Sequence, residues 1–230
     1  MIEPAFLAGI IKILFVGIII TAAYLITARN LMSLVSIYSI QSFTLVIIAL
    51  LLYLIEGSPV LLAIAAITFA SKVLIIPYFT ATIQEKIRIK RDIQFHFLSP
   101  TTSLLLSMGL MLLVYIALSQ VMEGIAEREN LFFFGAVLGI SLMLMGMMVT
   151  FSRKRALTKV LGFLSMENGV LLFGLFVTEL PFIIEFLIVI DLIILVLLTT
   201  ILTVGLDSTL EDYHKRLYRF HLWEDTEEVP

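Results

Sequence analysis

The chain has 230 residues, of which 60% are hydrophobic and only 14% charged, with a formal net charge of −3 and a mean hydropathy of +1.10. Soluble domains carry about 25% charged residues, so this composition excludes an ordinary soluble domain and fits an integral membrane protein; it also leaves no basic footprint for nucleic acid. With no cysteine, the chain offers no disulfide, thiolate zinc site, iron–sulfur cluster or [NiFe] ligand set.

Read in chain order, seven stretches have the roughly 20 mainly apolar residues that a bilayer crossing needs: 5–27, 31–54, 60–83, 99–120, 131–151, 156–178 and 181–205. The first follows Met1-Ile2-Glu3-Pro4, which lacks the basic start of a secretory signal and reads as a retained span. The breaks between spans are Arg29-Asn30, Glu56-Gly57-Ser58-Pro59, the run 84–97, the run 121–130, Arg153-Lys154-Arg155 and Glu179-Leu180-Pro181. The apolar runs are continuous rather than alternating, which predicts helices and excludes a β-barrel. The fold class expected is therefore all-α, a polytopic membrane protein with seven transmembrane helices.

Loop charges set the orientation. One side holds Arg29, then Lys86, Arg88, Lys90 and Arg91, then Arg153 to Arg155, then Lys215, Arg216 and Arg219; the other holds Glu56, Glu123, Glu127, Arg128, Glu129 and Glu179. This predicts an outside N-terminus and a cytoplasmic C-terminus. The run 84–97, four basic residues interleaved with apolar ones, suits an interfacial connector or a dock for anionic headgroups or a partner. The three histidines, His96, His214 and His221, lie outside the apolar stretches, which argues against an intramembrane haem. No cofactor and no metal is expected.

Four polar or charged residues interrupt the spans near their middles: Gln41, Lys72, Glu167 and Asp191. A charge at that depth costs about 2.5–3.5 kcal/mol on insertion scales and marks a functional path more often than packing. Glu167, beside Asn168, is the leading candidate for proton uptake and release. Lys72 is its natural counter-charge, with Thr68 one turn away on the same face and Pro77 set to disturb the helix further along. Asp191 is a further relay candidate. Glu185, six residues earlier and about 240° around the helix, would serve a different neighbour, as an exit group or an interfacial acid. Gln41, with Tyr38, Ser42 and Thr44, could extend a hydrogen-bonded path or simply join helices. Lys159, two turns before Glu167, could be an uptake group on the cytoplasmic side or a member of the basic cluster, and Lys12 could snorkel outward from the first span. Static pairs and packing are the structural alternatives for all of these. Gly135 and Gly139 have the small-xxx-small spacing of a helix contact, and the methionines at 143, 145, 147 and 148 read as packing.

Displacing the chain by 126 residues superposes Arg29 on Arg155, Leu31 on Leu157, Ser39 on Ser165, Leu45 on Leu171, Gln41 on Glu167 and Ser42 on Asn168. Spans 1–3 then correspond to spans 5–7 in the same orientation, a parallel repeat of the kind found in transport proteins. The organisation expected is a first three-helix repeat with its connector (1–97), a linking helix and outer loop (98–130), a second three-helix repeat (131–206) and a cytoplasmic tail (207–230).

Arg29-Asn30-Leu31 opening one span, and Gly162-x5-Asn168 within Gly162-Phe163-Leu164-Ser165-Met166-Glu167-Asn168-Gly169, resemble the small three-span K-type subunit of complex I and its counterpart in Mrp-type cation/proton antiporters. Two such units joined by an extra helix are similar to component E of the hydrogenase-4 and formate hydrogenlyase group; Lys72 before Pro77, and Glu185 followed by Asp191, fit the same picture. The resemblance implies a non-catalytic membrane-arm subunit of an energy-converting [NiFe]-hydrogenase-type complex in a prokaryotic cell membrane. Larger antiporter-like membrane subunits, and one like the H-type subunit of complex I, would be its neighbours, with the hydrogenase or other redox module an indirect partner. The sequence departs from the K-type pattern where a glutamate would follow the glycine by two residues: Leu164 stands there, the acid has moved to Glu167, and its counterpart in the first repeat is the uncharged Gln41. Three readings follow: a proton- or sodium-translocating subunit, a scaffold joining antiporter-like subunits, and a stand-alone secondary transporter. The scarcity of broken spans weighs against the last.

Overall fold

The computed structural model describes residues 4–28, 30–87, 99–121, 130–153 and 156–177, together with 189–191, 193, 194, 196, 197 and 200. Every element among them is helical: α1 (Pro4–Thr27), α2 (Leu31–Glu56), α3 (Pro59–Thr68), a π-helical segment (Phe69–Ile75), α4 (Ile76–Ile87), α5 (Pro100–Val121), α6 (Asn130–Ser152) and α7 (Ala156–Val177). α3, the π-helical segment and α4 run on as a single rod. Among the described residues six helices are long and apolar enough to cross a membrane, the third being Pro59–Thr82. The described positions from 189 to 200 are also helical and fall within the expected seventh span. Glu185, the run 88–98 and the tail 201–230 lie outside the described residues.

Local chemistry places the turns. Asn30 caps α2, its side-chain oxygen accepting from the Met32 amide at 3.3 Å. At the other end Gly57 takes the left-handed conformation (φ 71°) that a helix stop favours in glycine, and its amide donates to the Tyr53 carbonyl at 2.8 Å. Pro59 then opens α3 at the position where its missing N–H is not needed. The π-helical segment precedes Pro77, whose ring would meet the carbonyl four residues back in a regular helix. The wider turn relieves that clash, with the Ile76 amide donating to Ser71.

α6 and α7 form a tight antiparallel hairpin. A Cβ on Gly139 would meet the Phe173 backbone, one on Gly146 the Met166 backbone, one on Gly169 the Met143 backbone, and one on Gly162 the Thr150 amide. These pairs step along the two helices in opposite directions by three or four residues, a continuous stripe of close backbone approach of the sort membrane helices use. The expected contact at Gly135 and Gly139 is its upper part: Gly135 leaves room for the Phe176 ring, which also meets Phe15 of α1 and Phe132 of α6 edge-on. The stripe gives a sharp contrast. Gly146→Ala is expected to lower the stability of the detergent-solubilised protein by about 1–3 kcal/mol, because a backbone must move to admit it. Gly17→Ala, with nothing within 4 Å of its added carbon, should stabilise by up to about 1 kcal/mol through helix propensity. Thermal unfolding of the two variants checks both signs.

Of the six spans α7 is the most buried and α5 the least. α7 packs on α6 and on α2, α1 on α2 and α6, and the α3 rod on α2; α5 leans on α1 and α6 from outside. The outward residues of α5, among them Leu105, Met108, Leu112 and Leu113, are large and apolar, as a lipid-facing helix requires.

Candidate functional site: a buried charged network at mid-span

Lys72 Nζ lies 2.8 Å from Glu167 Oε1, and both side chains are sealed from solvent, at 0% and 2% exposure. Each sits near the middle of its span, so the pair joins the α3 rod to α7 deep in the bundle. Breaking such a pair by removing one partner is strongly destabilising, because the other charge stays buried and uncompensated. The π-helical segment holds Lys72; it is the only buried residue of that segment.

Asn168 continues the network. Its Oδ1 accepts from Lys72 Nζ at 3.4 Å, while its Nδ2 donates to Gln41 Oε1 at 3.1 Å and to Ser42 Oγ at 3.0 Å. Ser165 Oγ also donates to Gln41 Oε1, at 3.1 Å. The orientation of the Asn168 amide is self-consistent: its carbonyl oxygen faces the cation and its amino group faces two acceptors. Gln41, Ser42 and Asn168 are each fully buried. The polar residues of α2 thus meet those of α7 directly, and Ser42 bonds the residue 126 positions later in the chain.

Asp191, 5% exposed, is also buried and lies within electrostatic range of Glu167. Among the described residues neither Asp191 oxygen has a hydrogen-bond donor. Two ionised carboxylates are acceptors only, so one of them could donate to the other only if it carried a proton. The Tyr38 hydroxyl lies within electrostatic range of both carboxyls, and Tyr38 Oη and Thr68 Oγ1 are buried without hydrogen-bond partners among the described residues.

Four expected residues are therefore brought together: Gln41, Lys72, Glu167 and Asp191. Lys159 is not among them; it is exposed on α7, where it fits the basic cluster rather than the buried group. Lys12 is exposed on α1, in keeping with a snorkelling residue, and Thr44 bonds back to Ile40 of its own helix. No group of three or more metal-ligating side chains occurs among the described residues.

Two features lie beyond sequence reasoning. Ser165 and Asn168 carry the network across to α2, although in the sequence they stand out only as repeat partners and motif members. Arg153, one of three consecutive cations at a span boundary, is 1% exposed rather than interfacial. Its Nη2 donates to the carbonyls of Leu25 (3.2 Å), Ile26 (3.1 Å) and Ala28 (2.8 Å). These are the carbonyls that the end of a helix leaves without intrahelical partners, so the guanidinium closes α1 and ties it to the α6–α7 corner. The available signal is the position of an arginine at the head of a short connection, directly after an apolar span.

Comparison of the chain with family models, with curated proteins and with solved structures returns no match.

Proposed function

We propose that this chain is a non-catalytic membrane-arm subunit of an energy-converting [NiFe]-hydrogenase-type complex, whose mid-span charged group passes protons in step with redox chemistry in other subunits. The observation that carries the reading is the sealed Lys72–Glu167 pair with Asp191 against it. One ammonium and two carboxyls are neutral with one proton on the acids and carry −1 without it. A group of this kind titrates as a unit, and a change of field from a neighbouring subunit has one proton to move. Lys72 already fills the cation side of Glu167 at 2.8 Å, which favours a proton over sodium as the cargo. Asn168, Gln41 and the hydroxyls of Ser42, Ser165, Tyr38 and Thr68 extend the polar seam across the bundle and toward lateral neighbours.

The same reading takes the chain as a duplicated three-helix unit with a linking helix, seven spans in all. α1 packs on its counterpart α6, and α2 on its counterpart α7, which supports an axis along the membrane normal between the two copies. Antiporter-like subunits and a relative of the H-type subunit of complex I are the proposed neighbours, in a prokaryotic inner membrane with the N-terminus outside.

The test is Glu167→Gln in the assembled complex. Gln keeps the shape and loses the exchangeable proton. We expect the complex that assembles to keep redox turnover while coupled ion movement per complex falls by about a hundredfold, the lower range for loss of a positioned proton-transfer group. Unchanged coupling would leave the scaffold reading in its place.

A further inference from the structure

We propose that the groove between α1, α5 and α6 holds the acyl chain of an anionic phospholipid whose phosphate pairs with Lys12. This site is separate from the buried network. The groove encloses about 580 Å³, and its wall is made by side chains such as Val16, Ile19, Met108 and Leu138, with Tyr115 and the stem of Lys12 at its edge. No polar group inside it calls for a peptide or a hydrophilic ligand, and its walls suit a hydrocarbon chain.

The charge selects the lipid class. Lys12 is exposed, and among the described residues no carboxylate lies within ion-pair distance of it. A helix the length of α1 overhangs a 30 Å hydrocarbon core slightly at each end, which puts Lys12 roughly 9 Å below the core edge. From there its flexible stem can carry the ammonium toward the headgroups, leaving the aliphatic part against the groove. Along α1 the lining runs from Lys12 to Ile19, about 10 Å of rise, so the groove ends about 20 Å below the core edge, just past the midplane of a 30 Å core. An apolar trough that reaches the bilayer centre, with a cation on its outer side, suits the acyl chain of a phospholipid with a negative headgroup. A partner helix would have to bring a carboxylate of its own to the point where the ammonium emerges, whereas lipid phosphate already stands at the interface.

The test uses the purified full-length chain, equilibrated in detergent with equal amounts of phosphatidylglycerol and phosphatidylcholine, with retained lipid counted by native mass spectrometry. The wild type should retain phosphatidylglycerol at least fivefold over phosphatidylcholine, about fivefold being the effect of one basic group near an anionic lipid. Lys12→Gln should lower that ratio about fivefold at this site, whatever constant part the other basic residues add. Val16→Trp, a substitution at an exposed position, should fill the groove and remove one bound lipid while leaving helical content unchanged. The basic residues at 86–91 and 153–155 are present in every variant, so their contribution is constant. Equal retention by the wild type, a preference that Lys12→Gln leaves unchanged, or a bound lipid that survives Val16→Trp overturns the proposal. So does a wild-type chain in native membranes that holds no lipid there and cross-links through Lys12 to a carboxylate of a neighbouring subunit.

Discussion

Replacing Lys72 by methionine is expected to destabilise the chain by about 3–5 kcal/mol, because it strands the Glu167 charge in a sealed interior. Methionine keeps the length and flexibility of the side chain, so packing loss is small and the electrostatic term dominates. The double substitution Lys72→Met with Glu167→Gln removes both charges, and most of the lost stability should return. The non-additivity is the diagnostic, since residues in one ion pair couple and distant ones do not. Unfolding titrations of the two single variants and the double variant measure it. A double variant as unstable as the sum of the singles would mean that the 2.8 Å contact is not an interacting pair in the membrane.

Asp191→Asn is expected to reduce coupled ion movement about as far as Glu167→Gln does, roughly a hundredfold, with assembly intact. The double variant should fall no further, because residues acting as one unit give grossly non-additive losses. The physical basis is the nearness of two buried carboxyls, with no hydrogen-bond donor on either Asp191 oxygen among the described residues. Losses that multiply in the double variant would assign the two acids to separate steps. Normal coupling in Asp191→Asn would remove Asp191 from the path and leave Glu167 with Lys72 alone.

The spans, and the residues that interrupt them, are legible in the sequence because both signals are coarse: apolar length for the helices, and a charge inside an apolar stretch for Lys72, Glu167 and Asp191. That these residues face one another does not follow from those signals. It depends on the rotation of each helix about its own axis, which the glycine stripe of α6 and α7 fixes through Gly139, Gly146, Gly162 and Gly169. Of that stripe, only the small-xxx-small spacing at Gly135 and Gly139 reads as a contact surface; Gly146 and Gly169 come one per turn or two and give no short motif. The rotation of Lys72 has a second cause, the π-helical segment, for which Pro77 is a visible but imprecise pointer: it marks a disturbed helix without giving the register. Arg153 and Lys159 show the limit of composition. Both stand near the same basic corner, yet one is buried on the α1 carbonyls and the other is exposed, a difference set by where α1 ends and not by local sequence. Asn168 is visible as a neighbour of Glu167, but its bridge to Gln41 and Ser42 needs the packing of α2 on α7.

The central claim is that the carboxyls beside Lys72 change protonation during turnover. Isotope-edited infrared difference spectroscopy of the assembled complex, comparing resting and redox-driven states, reads it directly. A protonated-carboxyl band should change on turnover and be lost or shifted in both Glu167→Gln and Asp191→Asn. A carboxyl region that stays silent through turnover while ions still move, or a changing band that neither substitution affects, would contradict it.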